Sequence, residues 1–210
     1  MSSPNPLLKR APARAAPALL LFPDAPELRL PLARVHEVCG AARARFAVWV
    51  AAQTTGPVIW IAPEWGRNTL NPCGLSHLIH PSRLIRVAPR RPEDILWCME
   101  EILRVGAVAL AVADLPSLPN LTQIRRMHLA AETGAREGIG VSPIGLLLTS
   151  DSGGAPGVET RWHLSPDHAT RAGQWRLDRL RARTAPQAHW FLEQSDPGSS
   201  PRLTKTVTFT

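Results

Sequence analysis

Short apolar runs and longer amphipathic stretches alternate through most of this chain. Val58 to Ala62 (VIWIA), Ala107 to Ala113 (AVALAVA) and Ile144 to Thr149 are almost purely apolar and bounded by turn residues, as expected of strands buried on both faces of a parallel sheet. Arg34 to Cys39 reads as an earlier core strand and Leu84 to Ala88 as a shorter one, with Pro63 to Pro81 as a loop. Helical spacing lies between them. Ala41 to Thr54 carries Phe46, Val48, Trp49 and Val50, and Gly56-Pro57 ends it. From Pro92 to Gly106 the apolar positions Ile95, Leu96, Met99, Ile102 and Leu103 repeat at helical spacing. Pro92 stands at the first turn, and Glu93 and Asp94 sit where the helix dipole favours carboxylates. Leu118 to about Arg136 predicts a third helix, with Leu121, Ile124, His128 or Leu129, and Ala131 facing inward and Arg125 and Arg126 outward. This alternation is that of an open α/β sheet with right-handed crossovers.

The pattern changes after Gly153-Gly154-Ala155-Pro156-Gly157. Thr160 to Leu164, Gln174 to Arg183 and His189 to Glu193 alternate apolar and charged side chains, which predicts antiparallel strands with one wet face. Residues 1–27 are rich in Pro and Ala without a sustained period and read as a mobile leader; residues 28–194 form the domain and 195–210 a tail, whose closing TVTFT is β-prone enough to extend a sheet edge.

Composition removes several classes of protein. At 210 residues and 44% hydrophobic content the chain can bury one sizeable core. Its apolar runs fall far short of the ~20 residues a bilayer-spanning helix needs, and the N-terminal APALLLF is broken up by Pro12, Pro17 and Pro23. A cytoplasmic protein without membrane contact is the expectation. Cys39, Cys73 and Cys98 are widely spaced, with no CxxC and no paired His, so reduced thiols are expected rather than a disulfide framework or a zinc site. The net charge of +7 suits a polyanionic partner, yet nearly all of the basic residues are Arg in an Ala- and Pro-rich chain. Direct DNA contact and a merely solvated basic surface both stay open.

One junction limits the chemistry. In Val35 to Ala52, VHEVCGAARARFAVWVAA, strand runs into helix with no phosphate-binding loop. Such a loop needs glycines whose N–H groups curl round the phosphates, a Lys for the outer phosphates and a hydroxyl for magnesium. Here Gly40 alone remains, followed by good helix formers, and Arg43 or Arg45 could meet a phosphate only as an isolated charge. No cofactor and no metal are expected.

The segments VHEVCG, GPVIWIAPEW, LNPCGL, PEDILWCMEEILRVGAVALAVADL, LTQIRRMHLAAE and ETRWHL, then QWRLDRLRARTAP and HWFLE, together resemble the ImuA family, RecA-like accessory proteins of bacterial damage-induced mutagenesis. The resemblance covers roughly Leu32 to Gln194. It implies a RecA-like αβα sandwich with a mostly parallel central sheet and a C-terminal antiparallel extension. In RecA-like ATPases a catalytic Glu follows the strand matching Val58 to Ala62, where Glu64 stands; Asp114 matches the Walker B aspartate, and Thr149 or Ser150 the sensor position. With Gly40 and Arg43 these are vestigial nucleotide-site positions.

The resemblance further implies a non-enzymatic adaptor of SOS-induced, error-prone translesion synthesis. Its partners would be an ImuB-like inactive relative of Y-family polymerases and an error-prone C-family DNA polymerase. Arg161, Arg176, Arg179, Arg181 and Arg183, interleaved with Trp162 and Trp175, form the candidate interaction surface, set against a solvated sheet face as the plainer reading. A SulA-like division inhibitor and a divergent ATPase are the alternatives.

Overall fold

A short antiparallel hairpin, β1 (Ala18–Leu20) and β2 (Arg29–Pro31), opens this computed structural model, which describes residues 17–66, 70–168, 173–196 and 198–208. The mobile leader expected through residue 27 is corrected here. Residues 1–16 lie outside the described residues, but residues 17–27 pack onto the domain, because Leu21, Phe22, Ala25, Leu28 and Leu30 are all buried. The Leu21 N–H donates to the Leu28 carbonyl at 2.8 Å, closing the turn. Phe22 meets Trp49 edge-on with ring centroids 6.0 Å apart. Apolar side chains between prolines carry no period, so the sequence pattern hides their burial.

The main sheet has nine strands: β3 (Arg34–Cys39), β4 (Val58–Ile61), β5 (Leu84–Val87), β6 (Leu110–Asp114), β7 (Ile144–Leu148), β8 (Thr160–Pro166), β9 (Gln174–Ala182), β10 (Ala188–Glu193) and β11 (Arg202–Thr208). Across the sheet they run β11-β10-β9-β8-β3-β7-β6-β4-β5. From β8 to β5 every pairing is parallel; β8 to β11 form an antiparallel meander. The helices α1 (Arg43–Ala52), α2 (Pro72–Leu75), α3 (Pro92–Val105) and α4 (Leu121–Glu137) complete the main body. This is the RecA-like αβα sandwich. β11 forms at the edge because its strand-prone sequence meets the free side of β10.

Strand alternation sorts the core into two layers. Val58, Trp60, Leu110, Val112, Leu146 and Leu148 face α1 and the hairpin. Ile61, Ala111, Ala113 and Leu147 face Ile95, Met99 and Leu103 of α3 and Ile124, Met127 and Ala131 of α4. The layer under α1 continues beneath the antiparallel meander through Trp162, Leu164, Leu177, Trp190 and Leu192.

Local chemistry sets the helix ends. Gly106 ends α3 at φ 60°, and Asn120 with Gln123 makes a reciprocal capping box on α4. No basic side chain lies in the last turn of α1. Arg83 supplies that charge from a distance, donating to the carbonyls of Thr54 (2.7 Å), Gly56 (2.7 Å) and Ala51 (3.2 Å). On α4, Leu121 does not face inward as expected, and of His128 or Leu129 it is His128 that is partly buried: the two leucines are 40% and 62% exposed, while Ile124, Met127, Ala130, Ala131 and Gly134 fill the inner face.

Candidate functional site

The junction of β3 and α1 is held by its own backbone. Gly40 adopts φ +90°, and a Cβ there would lie 2.5 Å from the Leu164 carbonyl oxygen. Its N–H donates to the Asp151 carbonyl at 3.1 Å, the Ala42 N–H to the Leu164 carbonyl at 3.1 Å, and the Arg43 N–H to the Gly40 carbonyl at 3.2 Å. A phosphate nest needs such N–H groups free and convergent; these three already have acceptors.

Of Gly40, Arg43, Glu64 and Asp114, two meet. The Arg43 guanidinium lies 3.7 Å from the Asp114 carboxylate, both largely shielded. Burial pushes the Asp114 carboxyl above the usual carboxylate value, and the Arg43 charge and hydrogen bond oppose this. Arg43 thus lies beside the carboxylate that ends β6. Glu64 stands apart, 60% exposed and 3.4 Å from Arg90. Arg45 donates to Gln194 Oε1 at 2.6 Å and lies over the Trp175 ring at 5.8 Å. Among the described residues no three His, Cys, Asp or Glu side chains group closely enough to hold a metal ion.

A carboxylate that pattern reading passes over organises this end of the sheet. Glu37, fully buried in β3, accepts hydrogen bonds from Thr149 Oγ1 (2.8 Å), the Gly154 N–H (2.8 Å), the Ala155 N–H (3.1 Å) and Arg161 Nε (2.5 Å). Arg161 also donates to the Ala155 carbonyl at 2.9 Å. The Thr149 hydroxyl is therefore spent on a structural bond. A charged residue inside a buried strand requires this kind of satisfaction, and that requirement was the one signal in VHEVC pointing to Glu37. Next to it the Cys39 thiol is pushed up to about 11 by burial and then by the Glu37 charge. It donates to the Trp162 carbonyl at 3.3 Å and stays a buried, protonated group.

The five arginines do not form one surface. Alternation along β9 puts Arg179 opposite Trp162 on the buried face it shares with Leu177, and a bulge at Leu180 then sets Arg181 opposite Arg161. Arg179 therefore turns into the core at 8% exposure, donating to the carbonyls of Pro186 (3.0 Å) and Glu27 (3.2 Å) beneath the Trp162 and Trp190 rings. Burial lowers its pKa from the ordinary arginine value. Arg176, half exposed on the opposite face, donates to Asp178 at 3.0 Å. Arg181 is exposed, and Arg183 lies 3.9 Å from Glu159. Trp162 and Trp190 are core residues, and Trp175 packs edge-on against Trp49.

No helix among the described residues is long and apolar enough to cross a membrane. No family model matches the chain. Two curated proteins do, both named Protein ImuA, from Caulobacter vibrioides strains NA1000 / CB15N and ATCC 19089 / CIP 103742 / CB 15. Each is 31% identical over 205 residues, covering 85% of this chain and 82% of the relative.

Proposed function

The chain belongs to the ImuA family, whose place is in damage-induced mutagenesis, and on that premise we propose that it acts as a non-catalytic, cytoplasmic adaptor of error-prone translesion synthesis. In this reading a RecA-like body serves as an interaction platform for an ImuB-like inactive polymerase relative and an error-prone C-family DNA polymerase. The observation that carries it is the junction at Gly40 to Arg43. Backbone donors that would cradle a phosphate are bonded to Asp151, Leu164 and Gly40, and Arg43 is paired with Asp114. Without a phosphate site, a carboxylate such as Glu64 has no nucleotide-bound water to activate.

Charge placement favours protein over nucleic acid as the partner. Arg161 and Arg176 each lie against a carboxylate, and Arg179 is buried, which leaves less free positive charge than the count of arginines suggests. Direct DNA contact is secondary in this reading.

Titration with a fluorescent ATP analogue, with and without magnesium, tests the closed site; no saturable binding is expected, and magnesium-dependent saturation would replace the adaptor with a divergent ATPase. Pull-down against the two polymerase-type partners tests the platform. Binding to neither, with filamentation of cells that overexpress the chain, would favour the SulA-like inhibitor.

A further inference from the structure

Helix α4 has more apolar surface than the core uses. Its inner face is complete with Ile124, Met127, Ala130 and Ala131, yet Leu121 and Leu129 project outward, and Leu118 just before the helix is 53% exposed. The spacing of Leu121, Arg125 and Leu129 at i, i+4 and i+8 aligns them on one stripe. Beside the stripe lies a groove of about 340 Å³ between α4 and the chain entering β8, lined by Leu121, Leu129, Arg125, Gly157 and Arg183 among others. Gly157 keeps it open: a Cβ there would sit 2.7 Å from a methyl carbon of Leu121.

The charge around this groove is unbalanced. Arg34 is already held by Glu132 and lies 3.6 Å from Glu159. Arg183 is 61% exposed and only loosely engaged, 3.9 Å from the same Glu159. Arg125 is exposed and forms no ion pair among the described residues. Exposed leucines rimmed by arginines without full counter-charge suit a peptide with apolar side chains flanked by carboxylates. They suit a nucleic acid less well, since it would leave the leucines uncovered or desolvate its phosphates against them.

We propose that this α4 groove is the docking site for a protein partner, which inserts an apolar segment flanked by acidic side chains against Leu121 and Leu129 and pairs its carboxylates with Arg125 and Arg183. The inference rests on the adaptor reading and names the surface that reading requires. Partner specificity then comes from the arginine rim and affinity from the leucines.

The test uses the full chain and the purified inactive polymerase relative, with binding followed by calorimetry. Two double variants are compared with wild type: Leu121→Ser with Leu129→Ser, and Arg125→Glu with Arg183→Glu. All four side chains lie outside the core, so melting temperatures should stay near wild type and show that the variants fold. Each double variant should bind about tenfold more weakly or worse, the size expected when anchor contacts are lost. Wild-type affinity should fall as salt rises, with the slope reduced in the charge-reversal variant. Equal binding by wild type and both variants overturns the docking inference and leaves the adaptor reading standing. No binding by wild type overturns both. Normal partner binding with lost binding to a single-stranded oligonucleotide would reassign the groove to nucleic acid and also overturn the inference.

Discussion

At the scale of single residues, the buried ionisable side chains His36, Glu37 and Arg179 are fastened by hydrogen bonds rather than poised to react. His36 shows how. Fully buried, its Nε2–H donates to the Pro31 carbonyl at 2.9 Å and its Nδ1 accepts from the Thr160 hydroxyl at 2.7 Å; Thr160 in turn accepts from the Trp162 indole N–H at 2.8 Å. Burial lowers the His36 pKa to about 4, with nearby His128 and Arg34 adding to the effect. The unfolded chain takes up this proton near pH 6.5 and the folded chain only near 4, so the stability held by neutral His36 is complete above about 6.5 and is lost as pH falls toward 4. At ~1.4 kcal/mol per pH unit the loss amounts to a few kcal/mol. Urea unfolding at pH 7 and pH 5 should show wild type weakening and His36→Gln, though less stable at pH 7, changing less. Parallel pH dependence in the two proteins would sink this account. His128 is lowered in the same direction by burial and supplies a remaining slope in the variant.

At the scale of elements, the contact between α3 and α4 depends on bare backbone. A Cβ on Gly134 would lie 2.1 Å from the Leu103 carbonyl oxygen and 3.0 Å from the Gly106 nitrogen. Two effects oppose each other in Gly134→Ala. Helix propensity favours Ala over Gly by ~1 kcal/mol; overpacking against rigid backbone costs ~1–3 kcal/mol. Packing wins, because a carbonyl in a helix cannot swing aside as a side chain can. Gly134→Ala should therefore lower the melting temperature, whereas Gly74→Ala, in α2 with nothing within 4 Å of its Cβ, should leave it unchanged or raise it slightly. A Gly134→Ala protein as stable as wild type would mean that the helices can separate at low cost.

At the scale of the whole molecule, the N-terminal hairpin belongs to the body of the domain. Phe22 is 2% exposed against Trp49, in the same layer that runs under the meander through Trp162 and Trp190. Phe22→Ala should cost about 3 kcal/mol or more, as truncations of buried aromatics do. Denaturant unfolding measures this, and a silent substitution would mean that the segment only rests on the surface. The hairpin also reaches the meander: Arg179 donates to the Glu27 carbonyl at 3.2 Å and the Trp190 indole N–H to the Glu27 carboxylate at 3.3 Å.

The periodic strands and helices were legible from residue order alone, because buried parallel strands are continuously apolar and the helices repeat at their own spacing. Arg34–Cys39 has the bounds expected of it, and the strands from Val58, Leu84 and Ile144 begin where expected. The absence of a glycine-rich loop after Gly40 was equally plain, since that chemistry is local. The rest is set by contacts between segments distant in sequence. Glu37 reaches Arg161 across 124 positions, a bulge at Leu180 turns Arg181 out of the face that Leu177 and Arg179 share, and Leu21 and Phe22 are buried without any period to announce them. Local order records which backbone each segment prefers. Only the packed sheet decides which charges meet, which arginines face water and which leucines are left over.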